Sequence, residues 1–182
     1  MAPPVRTSRE LWIDTGLDLL ATEGPGAVRV EVLAQRLGVT RGGFYRQFGG
    51  RAELVDAMLD AWEHRSIDDV RRRVEAEGGD AAGKARKAGM LTFAPDLLPI
   101  DLAVREWARR DAAVAARLRR VDNRRMDYLR ELISTMSGDA GDVEARAMLA
   151  FSLVIGDHLI AADRFVGGRA RVLRDATRLI LG

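Results

Sequence analysis

Residues 30–54, VEVLAQRLGVTRGGFYRQFGGRAEL, constrain the fold more than any other stretch of the 182-residue chain. Apolar residues recur at Val30, Leu33, Ala34 and Leu37, one stripe of a short helix. Gly38 follows, where a left-handed residue ends a helix at little steric cost. Val39 is a single apolar plug, and the Thr40 hydroxyl can cap the N–H groups of a second helix over residues 41–48. In that helix Phe44 and Phe48 fall four apart on one face, leaving Thr40, Arg41, Gly43, Tyr45, Arg46 and Gln47 mostly on the other. Two short helices joined by a tight glycine turn form a helix-turn-helix, placed over about 29–48, whose second helix can lie in the major groove of DNA.

The outward residues have the chemistry that reading DNA requires. Arg41 and Arg46 can pair with phosphate or fork onto a guanine edge. Thr40 and Tyr45 can donate to phosphate oxygens, and Gln47 can pair bidentately with adenine. Gly42 and Gly43 lower helix propensity by ~1 kcal/mol each relative to Ala, a cost that makes sense where the backbone must come close to DNA. Gly49-Gly50 ends the helix, and Arg51 stands at the start of the next, where a helix N-terminus beside a cation suits a phosphate.

This run resembles the DNA-binding domain of the TetR family of one-component bacterial transcription repressors. The resemblance rests on Leu33-Ala34, Gly38-Val39-Thr40, Gly42-Gly43-Phe44-Tyr45, Phe48, Arg51 and Leu54, and it covers about the first third of the chain. Three positions depart from the family pattern. Arg29 stands where Ser or Thr usually caps the first helix of the motif, Gln47 replaces the usual His, and Arg51 replaces the usual Lys. The resemblance implies DNA contacts by Arg29, Thr40, Arg41, Gly42, Gly43, Tyr45, Arg46, Gln47 and Arg51. It also implies a homodimer on palindromic double-stranded operator DNA, released by a small lipophilic effector that tilts the fourth helix.

Charge distribution agrees with that reading better than net charge does. The net charge is only +2, but residues 29–51 carry five arginines against the single acid Glu31, and residues 52–69 carry six acids against Arg65. A basic patch beside an acidic helix orients a protein on a polyanion. With no cysteine there is no disulfide, thiol nucleophile or thiolate metal site, and two histidines are too few for a histidine-rich metal site. No cofactor is expected. No apolar run approaches a membrane span, and the first ten residues lack a secretion signal's apolar core, so a cytoplasmic protein is expected. Residues 78–85 match G-x-x-x-x-G-K, but Ala85 stands where a P-loop needs a hydroxyl, and a charged helix rather than a buried strand precedes it. No nucleophile elbow, zinc-protease or dinucleotide motif occurs, so no enzyme is expected.

The remaining pattern is helical, which predicts an all-α protein of about nine helices: an N-terminal three-helix helix-turn-helix domain and a C-terminal helical ligand-binding and dimerisation domain. The expected domains are 1–50 for DNA binding, a long connecting helix over 51–77, and 78–182 for effector binding and dimerisation. A first helix to about Glu23 follows a cap at Thr7 or Ser8, with Arg6 and Arg9 near phosphate. Candidate pocket-lining residues are Trp62, Met90, Phe93, Leu97, Leu102, Trp107, Met126, Leu129, Phe151 and His158, since Met and aromatic side chains line adaptable apolar sites. The last two helices, expected over 143–165 and 168–181, carry more apolar surface than one small core needs. Ala147, Ala150, Val154, Ala161, Val172, Ala176 and Leu179 are the candidates for a dimer seam, the arrangement the resemblance also implies. The alternative is a ligand-binding or interaction protein of the same fold without sequence-specific DNA binding.

Overall fold

The computed structural model describes residues 7–181, so the contact expected of Arg6 lies outside the described residues. All regular structure among them is helical: α1 (Arg9–Glu23), α2 (Val30–Leu37), α3 (Arg41–Tyr45), α4 (Arg51–His64), α5 (Val70–Glu77), α6 (Ala81–Thr92), α7 (Leu98–Ala108), α8 (Ala112–Ser134), α9 (Ala140–Leu159) and α10 (Arg169–Leu181). A 3-10 turn, Pro25–Ala27, precedes α2, and a π-turn, Arg65–Asp69, joins α4 to α5. The described residues thus hold ten α-helices against the nine or so expected, because the stretch 51–77, expected as one long helix, is divided into α4 and α5 by a π-turn that has no counterpart in the sequence reading.

The helices gather into two compact units, Met1–Ser66 with Pro95–Arg119, and Ile67–Ala94 with Arg120–Gly182. In the first, α1 packs on α4 and α7, while α2 packs on α1 and α3. Ser8 caps α1, its hydroxyl accepting from the Leu11 N–H at 3.2 Å. Trp12, Leu17, Leu19 and Leu20 of α1 meet Leu33, Phe44, Leu54, Met58 and Trp62 in a core with almost no exposed side-chain surface. α1 and α4 approach closely because Gly16 has no side chain: a Cβ there would lie 2.6 Å from the Met58 sulfur. One carboxylate, Asp101 on α7, is fully buried, and Arg105 one turn later donates to it at 2.7 Å, the partner a buried charge requires.

In the second unit α5 packs on α6, α6 on α9, and α9 on α10. Asp80 caps α6, its carboxylate accepting from the Gly83 N–H at 2.6 Å. Arg130 of α8 grips Glu144 of α9 with two hydrogen bonds of 2.6 and 2.8 Å, the fork geometry that makes such pairs strong. The Tyr128 hydroxyl donates to Glu75 at 2.6 Å, and burial together with that carboxylate pushes its pKa well up.

α9 stops at Leu159, short of the expected 165, and residues 160–168 are irregular. The cause is a long side chain acting as a cap. Arg169 donates through Nε to the Asp157 carboxylate at 2.6 Å, and through its other nitrogens to the Asp157 and Ala162 carbonyls. It thereby satisfies one carbonyl that the helix end leaves open, that of Asp157, and ties the irregular segment down at Ala162. Gly167 and Gly168, at φ 79° and 86°, then turn the chain into α10. No helix among the described residues is long and apolar enough to cross a membrane.

Candidate DNA-reading surface

Three rings hold α3 in place. Phe44 has no exposed surface, meets Trp12 edge-on at 5.4 Å between centroids, and stacks on Phe48 at 5.2 Å. Such ring pairs add to area burial, and α3 needs them, because five residues with two adjacent glycines cannot stand as a helix alone. The helix is shorter than the expected 41–48: residues 46 and 47 form a turn, and Gln47 and Phe48 donate N–H groups to the Phe44 carbonyl. Gly38 makes the expected left-handed cap of α2, at φ 65°, ψ 31°, its N–H bonding to Gln35 O at 3.2 Å while that of Val39 reaches Ala34 O at 3.0 Å.

With Phe44 and Phe48 turned inward, the opposite face lies open. Thr40, Arg41, Gly42, Tyr45 and Arg46 are all exposed, and Tyr45 shows 60% of its surface. The Thr40 hydroxyl makes no cap bond to α3, so it is available to an outside acceptor. Arg41 reaches Glu31 only at 3.4 Å, with both side chains about two-thirds exposed. The Glu31 carboxyl titrates below its usual range, chiefly through its own backbone N–H, with Arg41 and Arg29 adding to the effect. Arg29 is exposed and offers no side-chain cap to α2.

The two glycines have no internal reason to be glycine. Both have ordinary negative φ. A Cβ at Gly42 would meet only the Thr40 hydroxyl at 3.7 Å, and one at Gly43 the Trp12 ring edge at 3.8 Å, both ordinary contact distances.

Two of the sequence candidates are engaged inside the domain. Gln47 is half-buried and its amide nitrogen donates to the Thr7 carbonyl at 3.4 Å, which occupies one of the two atoms a bidentate pairing with adenine would use. Arg51 donates from Nε to the Val28 carbonyl at 2.5 Å and from a terminal nitrogen to Pro25 O at 2.9 Å, holding the segment that enters α2. The fork retains further donors.

Arg9 likewise works inward. Its guanidinium lies 4.1 Å from the Phe48 ring centroid, pairs with Glu53 at 3.0 Å, and donates to the Gln47 carbonyl. Glu53 in turn accepts from the Gly49 N–H at 2.7 Å. This clasp between α1, the end of α3 and α4 escaped the sequence reading, although Glu53 three residues after Gly50 has the spacing of a helix-start carboxylate. The Gly49 N–H, and then Arg9, hold the Glu53 carboxyl below its usual 4.5. A depressed carboxylate stabilises the fold above its unfolded pKa and loses that contribution as pH falls through the folded value. Glu53→Gln should therefore melt below wild type at pH 7, and the gap should close in acid below the usual 4.5; a gap that persists unchanged in acid would show that the charge is not what matters.

The pocket candidates divide between the units. Trp62, Leu97, Leu102 and Trp107 belong to the first, with Trp62 and Leu97 buried and the other two half-buried. Met90, Phe93, Met126, Leu129, Phe151 and His158 belong to the second, where Phe93 and Leu129 are buried and Met90 and His158 exposed. Phe93 and His158 are ring neighbours, at 5.6 Å between centroids. Of the seam candidates, Ala147 is fully buried within its own unit, Val154 packs toward Gly89, and Leu179 is 86% exposed. Ala150 and Ala176 are half-buried, Val172 is exposed, and Ala161 lies exposed beyond the end of α9. No group of three or more His, Cys, Asp or Glu among the described residues is placed to hold a metal.

Residues 13–58, which include all of α2, α3 and the aromatic support beneath them apart from Trp12, match the family model described as "Bacterial regulatory proteins, tetR family". This N-terminal part of the chain is a tetR-type domain. Among curated sequences the chain is 30% identical over 63 residues to the uncharacterized HTH-type transcriptional regulator TtgW of Pseudomonas putida, a match covering 35% of this chain and 47% of that protein. The chain thus matches about half the length of that relative. The TetR architecture extends further than the sequence match. The TetR-family regulator PfmR of Thermus thermophilus superposes with a TM-score of 0.68 at 18% identity, covering 97% of each chain. AibR, solved in complex with isovaleryl coenzyme A and operator DNA, gives 0.68 at 15% identity over 95% of this chain and 97% of its own.

Proposed function

We propose that the protein is a homodimeric, cytoplasmic transcriptional repressor that binds a palindromic operator through Thr40, Arg41, Gly42, Gly43, Tyr45 and Arg46, and releases it when a small lipophilic effector binds. The observation that carries this reading is the outer face of α3, where hydroxyls and guanidinium groups stand exposed over two glycines that the protein's own packing does not require. In this reading Arg29 and the unengaged donors of Arg51 serve as further phosphate contacts, and Gln47 contributes through its remaining amide oxygen. The functional division is 1–50 for DNA binding, 51–77 as connecting helix, and 78–182 for effector binding and dimerisation. Of the 20 residues of α9 only Ala147 is buried, and Met148, Leu149 and Leu179 are more than half exposed in the single chain. An apolar surface of that kind marks an association site. AibR, of like fold, carries both an acyl-coenzyme A and operator DNA, which supports a ligand-responsive DNA binder here.

The effector acts only through a difference in its affinity for the DNA-bound and released states. Selection of bound fragments from genomic DNA tests the proposal. The expected result is a palindrome whose half-sites are about 34–36 Å apart, with affinity falling steeply with salt. A protein that prefers no sequence over bulk DNA, or that sediments as a monomer, would sink this reading; the first outcome favours a ligand-binding protein of the same fold.

A further inference from the structure

We propose that Trp62 and Ser66 form a hydrogen-bonding subsite for an uncharged small molecule presenting a carbonyl-type acceptor oxygen. The inference rests on the effector reading above and assigns that effector its polar chemistry. Trp62 lies on α4 and Ser66 is the second residue of the π-turn, four positions later. Residues four apart on a helical path share a face. Trp62 is 0% exposed and Ser66 1%, yet neither the indole Nε1 nor the Ser66 Oγ has a hydrogen-bond partner.

Helical hydroxyls elsewhere in this chain bond back to the carbonyl four residues earlier: Thr15 to Leu11 at 2.7 Å, Thr22 to Asp18 and Thr177 to Leu173 at 2.8 Å. Ser66 does not. The corresponding carbonyl, that of Trp62, accepts from the Arg65 N–H at the end of α4, and the wider π-turn that follows displaces the usual partners. Buried polar groups without partners are rare, and a sequence keeps them mainly where something binds. π-turns concentrate at functional sites for the same reason. The Trp12 Nε1 is also unpartnered, but that ring is packed edge-on against Phe44 in the support of α3.

The two atoms define the ligand. An indole N–H only donates, and a serine hydroxyl can donate beside it, so the complement is an acceptor oxygen. Two neutral donors do not offset the desolvation of a carboxylate, and the Arg65 cation on this turn is held by Asp14 at 2.5 Å. A ketone, ester, lactone or amide carbonyl on an apolar body fits; an anion does not.

The test uses the full-length protein without DNA and follows its melting temperature with straight-chain methyl ketones, alkanes of equal length and the corresponding carboxylates. Ketones are expected to raise it, and alkanes and carboxylates to leave it unchanged. Ser66→Ala should weaken ketone affinity about three- to tenfold, the worth of one hydrogen bond, and Trp62→Phe should do likewise. Ligand-free Ser66→Ala should melt at or above the wild-type temperature, because a hydroxyl without a partner adds nothing to the fold. Alkanes as effective as ketones, no ketone binding, undiminished binding by Ser66→Ala, or a lower ligand-free melting temperature would each overturn the subsite. Failed operator selection with intact ketone shifts sinks the regulator reading alone, whereas the reverse sinks this one alone.

Discussion

Phe44→Ala is expected to destabilise the free protein by about 3–5 kcal/mol, a large fraction of the ~5–15 kcal/mol that holds an ordinary domain folded. The side chain has no exposed surface and touches the two other rings beneath the reading face. Removing it leaves a void bounded by Trp12 and Phe48, whose positions are fixed by α1 and α4 and cannot close over it. The loss falls on α3 first, since Phe44 is the one buried residue of that helix. Urea unfolding reads the effect directly, and Phe44→Leu, which keeps most of the volume, should lose markedly less. A loss for Phe44→Ala below about 1 kcal/mol, the level of an ordinary surface change or less, would mean that α3 is not seated on Trp12.

The second large effect concerns affinity with the fold left intact. Arg46 is exposed on the outer face, so Arg46→Ala should change folding stability by no more than about 0.5 kcal/mol. It should weaken operator binding by about 1–3 kcal/mol if Arg46 reads a base. If it contacts phosphate, the loss is uniform across sequences and the salt slope falls by about one. Gly42→Ala gives the companion result with opposite signs. The free protein gains up to ~1 kcal/mol from helix propensity, because a Cβ meets only the Thr40 hydroxyl at 3.7 Å, while DNA binding is lost to the methyl group in the interface. Chemical denaturation and a binding isotherm at one salt concentration measure both. A Gly42→Ala protein that binds its operator undiminished would show that the glycine serves no DNA approach.

The helix-turn-helix was legible because its signals are local and agree with one another. The stripe of Val30, Leu33 and Ala34, the left-handed Gly38 and the Phe44–Phe48 pair each specify the same geometry within twenty residues. The all-α class was legible from periodicity alone. What escaped depends on partners distant in sequence. The π-turn at Arg65–Asp69 shows in the sequence only as a five-residue step from Trp62 to Ile67 inside an otherwise helical pattern. Residues 160–165 are as apolar as the helix before them, and only the reach of Arg169 back to Asp157 ends α9 early. Gln47 and Arg51 have side chains suited to DNA, and nothing in their neighbours announces that Thr7, Val28 and Pro25 carbonyls occupy some of their atoms. The packing of α7 onto α1, across more than seventy residues, has no sequence signature at all.

The brevity of α3 carries a consequence for heat response in the cell. With five residues it has no cooperativity of its own, so its order is borrowed from the rings of Trp12, Phe44 and Phe48 and from its packing on α2. Selectivity for one operator over the rest of the genome cannot then erode gradually as temperature climbs. It should persist almost unchanged until the amino-terminal domain melts, and vanish within the same few degrees, so that derepression on warming traces the calorimetric transition of the protein rather than a slow drift in affinity.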